Sequence, residues 1–417
     1  MSDRIRQSRR QYLKLAGTAG AVSLTGLSGC LGSLPGAGGG PIPVASILPI
    51  TGDLSDFGPG MQEGVQLAVD QINEAGGPLG RELEYFPRDS ETVAQAAQQQ
   101  YSQLVSEESI VGFVGAASSG VSVPLAQGLA ADQVMQVSPA STSPTLAQLG
   151  YNDDESVKYF GRTAPNDVQQ GIVMGMIMND FVEADTAAFL HVNNAYGEGL
   201  AQGAADAFDG ETLRLVPYSS QTSDYTSTLD TLFEGEPDAV GFVGYPESGQ
   251  SILQTWSDGG YGGQWVLSEG LNSPDFFQAI PEITDGMYVS SPDPEQTQGA
   301  QRFANDLGKE PRVFSPHSYD AMFLMALAMH RAGEASGTAI AQNIRAVSRG
   351  DGEETVTVGQ FQRATNLIDD GTSINYQGAS SPVDLNESLE PLNRFAILQV
   401  QDGSTTTLRQ IPRSDFM

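Results

Sequence analysis

The sequence predicts an α/β protein built from two doubly wound, Rossmann-like lobes. Short apolar runs of strand length alternate with stretches of helical periodicity, and this alternation occurs in two successive series, before and after residues 162–167. Two βαβ series of this kind indicate two parallel sheets with helices on their faces. At 417 residues the chain is long enough for two domains with well-buried cores.

The first series begins at residue 44. Its predicted strands are 44–48, 83–87, 110–114 and 135–137, and its predicted helices are 61–75, 92–106 and 120–131. A loop rich in Gly, Ser and Asp follows the first strand, and the Gly-Gly-Pro-Leu-Gly segment at 76–80 ends the first helix.

Two hydroxyl-rich loops follow the third and fourth predicted strands, at 117–120 (Ala-Ser-Ser-Gly) and 139–142 (Pro-Ala-Ser-Thr). If these strands are adjacent and parallel, both loops lie outside their carboxyl ends, where open α/β sheets bind ligands. Backbone N–H groups at the start of the helix over 120–131, together with the hydroxyls, would suit a small anion such as a carboxylate. The alternative is that both loops only cap helices, and the local sequence alone favours that interpretation.

The second series follows residue 167. Its predicted helices are 168–181, 197–208, 225–234 and 247–259, and its predicted strands are 186–191, 212–217, 239–243 and 265–267. Beyond residue 291 the chain is predicted to be helical at 297–307, 315–332 and 337–347, and strand-like at 375–378, 383–385 and 395–400. The helix at 315–332 is apolar on nearly all sides, so we expect it to be buried with its methionines filling the core.

The composition is strongly acidic. The formal net charge is −31, from 51 acidic and 20 basic residues, and the acidic residues are spread along the chain. Such a charge argues against nucleic acid or an anionic membrane surface as a partner. An evenly acidic surface is also typical of proteins that function in high salt, where screening reduces self-repulsion. We therefore interpret the protein as halophilic.

The N-terminus resembles a lipoprotein export signal. Residues 8–14 (Ser-Arg-Arg-Gln-Tyr-Leu-Lys) are similar to the twin-arginine motif, and a short apolar run follows them. Residues 27–30 (Leu-Ser-Gly-Cys) are similar to a lipobox, and Cys30 is the only cysteine. The prediction is a signal peptide at 1–29, then lipidated Cys30 and a flexible Gly/Pro tether at 30–41. A buried thiol or an intermolecular disulfide is the alternative for Cys30.

The usual signatures of enzymes and metal sites are missing from the sequence. The three histidines are scattered, the nucleophile-elbow pattern and the Walker A pattern do not occur, and the glycines at 197–203 depart from the dinucleotide fingerprint in spacing. We therefore expect no catalytic residue, no cofactor and no metal.

A series of short motifs occurs in a fixed order along the chain. They are 49–52 (Pro-Ile-Thr-Gly), 73–77 (Asn-Glu-Ala-Gly-Gly), 117–120, 138–142, 162–167 (Arg-Thr-Ala-Pro-Asn-Asp), 195–199 (Ala-Tyr-Gly-Glu-Gly), 245–247 (Tyr-Pro-Glu) and 268–270 (Ser-Glu-Gly). Together they resemble the solute-binding proteins of ABC importers for leucine, isoleucine and valine, which have the type I periplasmic-binding-protein fold. The resemblance implies three crossovers, near 163–164, 290–292 and 381–383. Lobe 1 would comprise 42–163 and 292–381, and lobe 2 would comprise 164–291 and 382–417.

The resemblance also implies a ligand site. In the family, residues that match Ser118, Ser119, Ser141 and Thr142 hold the α-carboxylate of an amino acid, and the match of Glu269 pairs with the α-ammonium. Residues that match Tyr196 and Tyr245 line the opposite lobe, and the match of Phe57 packs over the ligand. A zwitterion requires both partners, because burying either charge unpaired costs several kcal/mol.

Each of these roles has a structural alternative. From composition alone Glu269 is one more surface acid, the two tyrosines are packing aromatics, and Phe57 packs on the neighbouring helix. Asp224 and Asp320 are interpreted as helix-start acids. The sequence departs from the family at Phe57, where relatives often have tryptophan, and at 386–389, where a glycine-containing turn is replaced; we expect the second change to affect only a hairpin.

The resemblance implies an extracytoplasmic, lipid-anchored monomer that binds a small amino acid, branched-chain type first, and delivers it to a membrane permease with ATPase subunits. It implies no catalysis. One alternative is a receptor for urea, a short amide or an aromatic acid. Others are an exported enzyme with Glu269 or Asp320 as base, and a sensory module.

Overall fold

The computed structural model describes residues 39–293, 295, 297–349 and 354–417. The predicted signal peptide, Cys30 and the tether up to residue 38 lie outside the described residues. In the described part of the chain, no helix is both long and apolar enough to cross a membrane.

The chain alternates strands and helices, as predicted. The strands are β1 (Ile42–Leu48), β2 (Leu83–Asp89), β3 (Gly112–Gly115), β4 (Met135–Ser138), β5 (Phe160–Arg162), β6 (Thr186–Val192), β7 (Glu211–Tyr218), β8 (Ala239–Val243), β9 (Gln264–Leu267), β10 (Tyr288–Pro292), β11 (Glu354–Thr357), β12 (Ile374–Gln377), β13 (Phe395–Gln401) and β14 (Ser404–Ile411). The α-helices are α1 (Gly58–Glu74), α2 (Ala94–Gln103), α3 (Ser119–Ala126), α4 (Leu129–Asp132), α5 (Asp167–Ile177), α6 (Ala195–Ala207), α7 (Thr226–Leu232), α8 (Pro246–Gly259), α9 (Pro274–Ala279), α10 (Pro281–Thr284), α11 (Gln298–Leu307), α12 (Ser315–Ala332), α13 (Gly337–Ser348) and α14 (Phe361–Asp369).

The strands form two principal sheets. The first is parallel throughout, in the order β2-β1-β3-β4-β5. The second has the order β14-β13-β10-β9-β8-β6-β7, with β13 antiparallel to both of its neighbours and the other pairs parallel. A short parallel pair, β11-β12, stands apart from both. The predicted α/β class with parallel-strand sheets is confirmed.

The chain passes between the two sheets after β5, after β10 and between β12 and β13. The exact lobe boundaries stay predictions. For the third crossover, predicted near 381–383, two hydrogen bonds favour a position later in the chain. The backbone N–H of Arg162 donates to the Leu389 carbonyl at 2.9 Å, and Lys158 Nζ donates to the Ser388 carbonyl at 2.9 Å. Residues up to about 390 therefore remain beside β5.

Helix α12 is buried along most of its length, as its composition predicted. Residues 315–329 are all buried, and the helix packs against α1 and α13. Its methionines Met322, Met325 and Met329 have no exposed surface, so they fill the core. One residue of this helix was wrongly interpreted. Asp320 lies inside the helix rather than at its start, and it accepts hydrogen bonds from Tyr376 and from the backbone and side chain of Ser380.

Several expectations for the C-terminal region are wrong. Residues 383–385 do not form a strand, because Val383 has a left-handed backbone (φ 51°) that cannot continue an extended chain. The last hairpin is β13-β14, and its turn uses Asp402 and Gly403, both with positive φ. The segment 386–389 therefore lies outside any hairpin, and it leads to a buried glutamate of the site region, Glu390.

The predicted helix over 120–131 divides into α3 and α4. Pro124 lies inside α3 and has no N–H for the helical ladder, and Gly128 separates the two pieces. Helix α3 still begins at the end of the first hydroxyl loop, so the division leaves this loop at the carboxyl end of β3.

Candidate functional site

The two hydroxyl loops meet at the carboxyl ends of β3 and β4, which pair in parallel. Ser119 Oγ accepts hydrogen bonds from the backbone N–H groups of Thr142 and Ser143, both at 3.1 Å. Ser118 occupies the N-cap position of α3, but its side chain makes no capping bond. The hydroxyls of the first loop therefore join the two loops and face the cleft instead of capping the helix.

Ser141 and Thr142 in the second loop differ in what their hydroxyls contact. Ser141 Oγ lies 3.0 Å from the carbonyl oxygens of both Ala116 and Ala117 and 2.8 Å from Ser122 Oγ. Thr142 Oγ1 is buried and lies beside the Asp167 carboxylate. The Ser141 hydroxyl is therefore engaged within the two loops, whereas the Thr142 hydroxyl is directed to Asp167.

Glu269 lies on the opposite side, in a short 3-10 turn directly after β9. Its side chain is 2% exposed and accepts hydrogen bonds from Tyr196 Oη at 2.9 Å and from Gln170 Nε2 at 2.5 Å. The Tyr196 ring stacks on Tyr245, with centroids 5.7 Å apart and planes 8° apart. Gly270 permits this packing, because a Cβ there would lie 2.9 Å from Tyr196 Oη and 2.5 Å from a carbonyl oxygen.

The two sides enclose one cavity, which we call the ligand cavity. Its lining includes Phe57, Ser118, Ser119, Tyr196, Tyr245 and Glu269, which are six of the eight residues that the family resemblance implied. Ser141 and Thr142 do not reach its surface. A hydrogen bond of 2.8 Å between Ser118 Oγ and Tyr245 Oη spans the cavity. The volume is about 20 Å³, room for about one water molecule, so the cleft is closed.

Phe57 contributes to an apolar wall. It is 3% exposed, and its ring contacts the Phe314 ring edge-on at a centroid distance of 6.4 Å. Leu54 and Met61 line the same wall. Phe57 thus packs on its neighbours and faces the ligand cavity at the same time, so its two sequence interpretations are compatible.

A second buried acid, Asp167, was not identified from the sequence. It lies in the first turn of α5 and is 1% exposed. Its backbone N–H donates to the Thr142 carbonyl at 2.9 Å, and its carboxylate lies beside the Thr142 hydroxyl. Burial, and next the charge of Glu269, raise the pKa of Asp167 well above its ordinary value, against the lowering effects of Thr142 and Arg162. Burial likewise raises the pKa of Glu269 to about 7. Two neighbouring buried acids of this kind favour a cationic group near them.

Arg162 holds the second loop in place, a role that the sequence analysis did not predict. Its Nη1 donates to the carbonyls of Ser141 and Ser143 at 3.1 and 2.9 Å. Its Nε and Nη2 both bond to Glu390, whose other oxygen accepts from Asn166 at 3.1 Å. The sequence did contain a signal for both residues, because the family-like motif at 162–167 begins with Arg162 and ends with Asp167.

The ligand cavity has hydroxyls on one side and the Glu269 carboxylate on the other, with an apolar wall beside them. No described cluster of three or more His, Cys, Asp or Glu side chains is placed to hold a metal ion. The site is therefore suited to hold a small zwitterion by direct contact.

Comparisons with known proteins give a consistent result. A family model described as "Periplasmic binding protein" matches residues 41–368. A Halobacterium salinarum protein named chemotactic signal transduction system substrate-binding protein is 35% identical over 384 residues, which cover 91% of each chain. A Pseudomonas aeruginosa protein named for binding leucine, isoleucine, valine, threonine and alanine is 24% identical over 316 residues, 73% of this chain and 82% of that one. The solved structure of a leucine binding protein from Thermotoga maritima has a TM-score of 0.75 at 23% identity and covers 90% of this chain and 99% of that one.

Proposed function

Because the chain belongs to the periplasmic binding protein family, we propose that it is an extracytoplasmic receptor that closes on one amino acid between its two sheets. The observation that carries this proposal is the opposition of charge partners across the ligand cavity. Glu269 lines the cavity on one side, while Ser118 and Ser119 line it on the other with their hydroxyls. Asp167 and Thr142 lie next to each other outside the cavity lining, where the Asp167 N–H donates to the Thr142 carbonyl at 2.9 Å.

The acids suit an α-ammonium group. Without a cation, two neighbouring buried carboxylates repel each other and lose their hydration, which is why their pKa values are raised. An ammonium at Glu269 supplies the missing counter-charge. The Glu269 oxygens would then accept its N–H bonds, while Asp167 contributes its charge from outside the cavity lining.

The hydroxyl loops suit an α-carboxylate. Ser118 and Ser119 line the ligand cavity at the start of α3, where backbone N–H groups and the helix dipole favour an anion. Thr142 lies directly behind Ser119, and its hydroxyl lies beside the Asp167 carboxylate. Ser141 would act indirectly, because its own hydroxyl is engaged with the first loop.

The apolar wall of Leu54, Phe57, Met61 and Phe314 suits an aliphatic side chain. A relative named for binding leucine, isoleucine, valine, threonine and alanine supports the same class of ligand. Urea, short amides and aromatic acids on the same fold have no ammonium group, so they would leave the two buried acids without a partner. An amino acid with a branched aliphatic side chain is therefore the first candidate.

We propose lipid anchoring at Cys30, which the lipobox-like residues 27–30 support, and delivery of the amino acid to an ABC permease. A second candidate function is sensory, because a relative that is 35% identical over 91% of each chain is named as a substrate-binding protein of a chemotactic system. Both functions begin with the same binding step and differ only in the membrane partner. Deleting the gene would separate them: loss of amino acid uptake indicates a transporter, and loss of attraction with normal uptake indicates a receptor for chemotaxis.

A thermal-shift screen tests the proposed ligand class. The probes are the twenty amino acids, urea, acetamide and benzoate, each added to the protein in molar salt. A true ligand raises the midpoint of unfolding in proportion to ln(1 + [L]/Kd). We expect leucine, isoleucine or valine to give the largest shift. A shift with urea, acetamide or benzoate and none with any amino acid would contradict the proposal.

A further inference from the structure

A second cavity, which we call the hinge cavity, adjoins the ligand cavity. Its volume is about 620 Å³, and its lining includes Pro292 at the end of β10, Phe314 and His317 at the start of α12, and Ala379 after β12. Pro292 lies where the chain passes between the sheets after β10, which gives the cavity its name. Phe314 belongs to the lining of both cavities, so it forms the wall that they share.

His317 lies at the hinge cavity with no partner for its ring. The residue is 2% exposed, and neither Nδ1 nor Nε2 has a hydrogen-bond partner in the residues that the structure describes. Burial lowers the pKa of His317 to about 3, so at neutral pH the ring has one N–H donor and one acceptor nitrogen. Buried polar groups in folded proteins are nearly always paired, so an unpaired imidazole beside a cavity indicates a group that binds there.

Phe314 is held in a conformation that is uncommon for a bulky residue. Its φ is 66°, in the left-handed region, at the residue that precedes α12. Its ring contacts Phe57 on the ligand side and His317 on the hinge side, with a centroid distance of 5.4 Å to the imidazole. Strained positions of this kind concentrate at ligand clamps and switch regions. For a bound side chain to reach the hinge cavity from the ligand cavity, the Phe314 ring would have to move aside.

We propose that the hinge cavity receives the end of the ligand's side chain, and that a neutral hydroxyl or amide at that end pairs with the His317 ring. This inference rests on the proposed amino acid function and extends it from short aliphatic amino acids to longer ones with a polar end. In the closed form the ligand cavity has a volume of about 20 Å³ and the adjoining hinge cavity about 620 Å³, so the larger space next to the binding site is the hinge cavity.

The charges around the hinge cavity favour a neutral end group. Asp293 is paired with Arg394 at 2.9 Å, and Arg312 is paired with Asp275 at 2.8 Å, so these two lining side chains already have counter-charges. The third charged lining residue, Glu310, is exposed to solvent, where its charge is screened. The neutral His317 ring provides no charge to balance an ammonium or a carboxylate. A charged end group would therefore lose hydration without gaining a buried counter-ion.

Three isosteric amino acids test the inference by isothermal titration calorimetry with the full-length protein. L-norleucine, L-5-hydroxynorvaline and L-ornithine have the same chain length and end in a methyl, a hydroxyl and an ammonium group. We expect 5-hydroxynorvaline to bind about 2- to 12-fold more tightly than norleucine, the ratio for one net hydrogen bond. Ornithine should bind most weakly. In His317→Phe the preference for 5-hydroxynorvaline should disappear, whereas His330→Phe, near the other end of α12, should keep it.

Nitrogen NMR of the unmodified protein gives a second measurement that does not depend on folding of a variant. The chain has three histidines. We expect the His317 ring nitrogens to shift on addition of 5-hydroxynorvaline and not on addition of norleucine.

The outcomes separate this inference from the proposed function. If leucine and all three probes fail to bind, the proposed amino acid function is wrong. If leucine binds while norleucine and 5-hydroxynorvaline bind equally, or the preference survives in His317→Phe, the role of the hinge cavity is wrong and the amino acid function stands. Tightest binding of ornithine would overturn the neutral end group.

Discussion

Replacing Glu269 by glutamine tests the recognition of the α-ammonium. The side chain is 2% exposed and accepts hydrogen bonds from Tyr196 and Gln170, and glutamine keeps its size and one acceptor oxygen while it removes the charge. A hydrogen bond to a charged group contributes about 1.5–3 kcal/mol. Asp167 still contributes its charge from outside the cavity lining. We therefore expect Glu269→Gln to weaken binding by about 2 kcal/mol, or roughly 30-fold.

The same variant should change the pH dependence. Burial raises the pKa of Glu269 from 4.5 to about 7 in the unliganded protein. The ammonium binds the ionised carboxylate, so the affinity of the unmodified protein should rise with pH up to about 7, and this rise should be smaller in the variant. Between pH 4.5 and 7 the folded state holds a proton that the unfolded chain releases, so folding stability falls as the pH rises through this window. At pH 8 unliganded Glu269→Gln should therefore unfold at a higher temperature than the unmodified protein.

Calorimetric titration at pH 5.5, 6.5 and 7.5, in constant molar salt, measures the first two effects, and thermal unfolding without ligand measures the third. Glu198→Gln is a matched control, because Glu198 is an exposed acid in the first turn of α6. Unchanged affinity in Glu269→Gln, with the same pH slope as the control, would refute the role of Glu269 in binding. If Glu269→Gln unfolds at a lower temperature than the unmodified protein at pH 8, the inference that the buried Glu269 charge lowers stability is wrong.

Three other changes test separate parts of the structure. Replacing Ser119 and Thr142 together by alanine should weaken amino acid binding by about 1–3 kcal/mol with an unchanged circular dichroism spectrum; normal affinity would mean that these hydroxyls only join the two loops. Glu390→Gln should lower stability by about 3–5 kcal/mol, because it leaves Arg162 buried without its counter-charge, whereas the exposed Glu387→Gln should have little effect in the same denaturant titration. Cys30→Ser should move the protein from the membrane fraction to the soluble fraction; continued membrane retention would rule out the lipid anchor.

Hydrophobic periodicity was sufficient to predict most of the two principal sheets. Buried parallel strands such as β1, β6 and β8 read as short apolar runs, and the helices between them have clear helical spacing. The strands that were missed lack this signal. β5 has only three residues, and β14 is exposed at all but its last position, so its polar threonines resemble a loop. These strands form through pairing with neighbours rather than through their own composition.

The loops that line the cleft could be predicted from the sequence better than the residues that hold those loops in place. Ser118, Ser119 and Glu269 each follow a recognisable strand, so their position at the carboxyl end of a sheet could be predicted. The role of Asp167 depends on its distance from Glu269, and the role of Arg162 depends on Glu390, more than 200 residues later. Such pairings follow from the three passages between the sheets, which local periodicity does not encode.

Two residues that were not predicted from the sequence, Gln170 and Asp167, relate the charge of a ligand to closure of the cleft. Gln170 Nε2 contacts both Glu269 and Ser290 Oγ of β10, at 2.5 and 2.9 Å, so it joins the acid to a strand that ends at a crossover. In the closed form both acids are buried, and their raised pKa values mean that closure without a cation requires proton uptake or a loss of hydration energy. An amino acid removes this cost through its ammonium, whereas an uncharged amide does not. Since a ligand shifts a conformational equilibrium only by its differential affinity for the two forms, the buried acid pair itself would make closure selective for a cationic ligand.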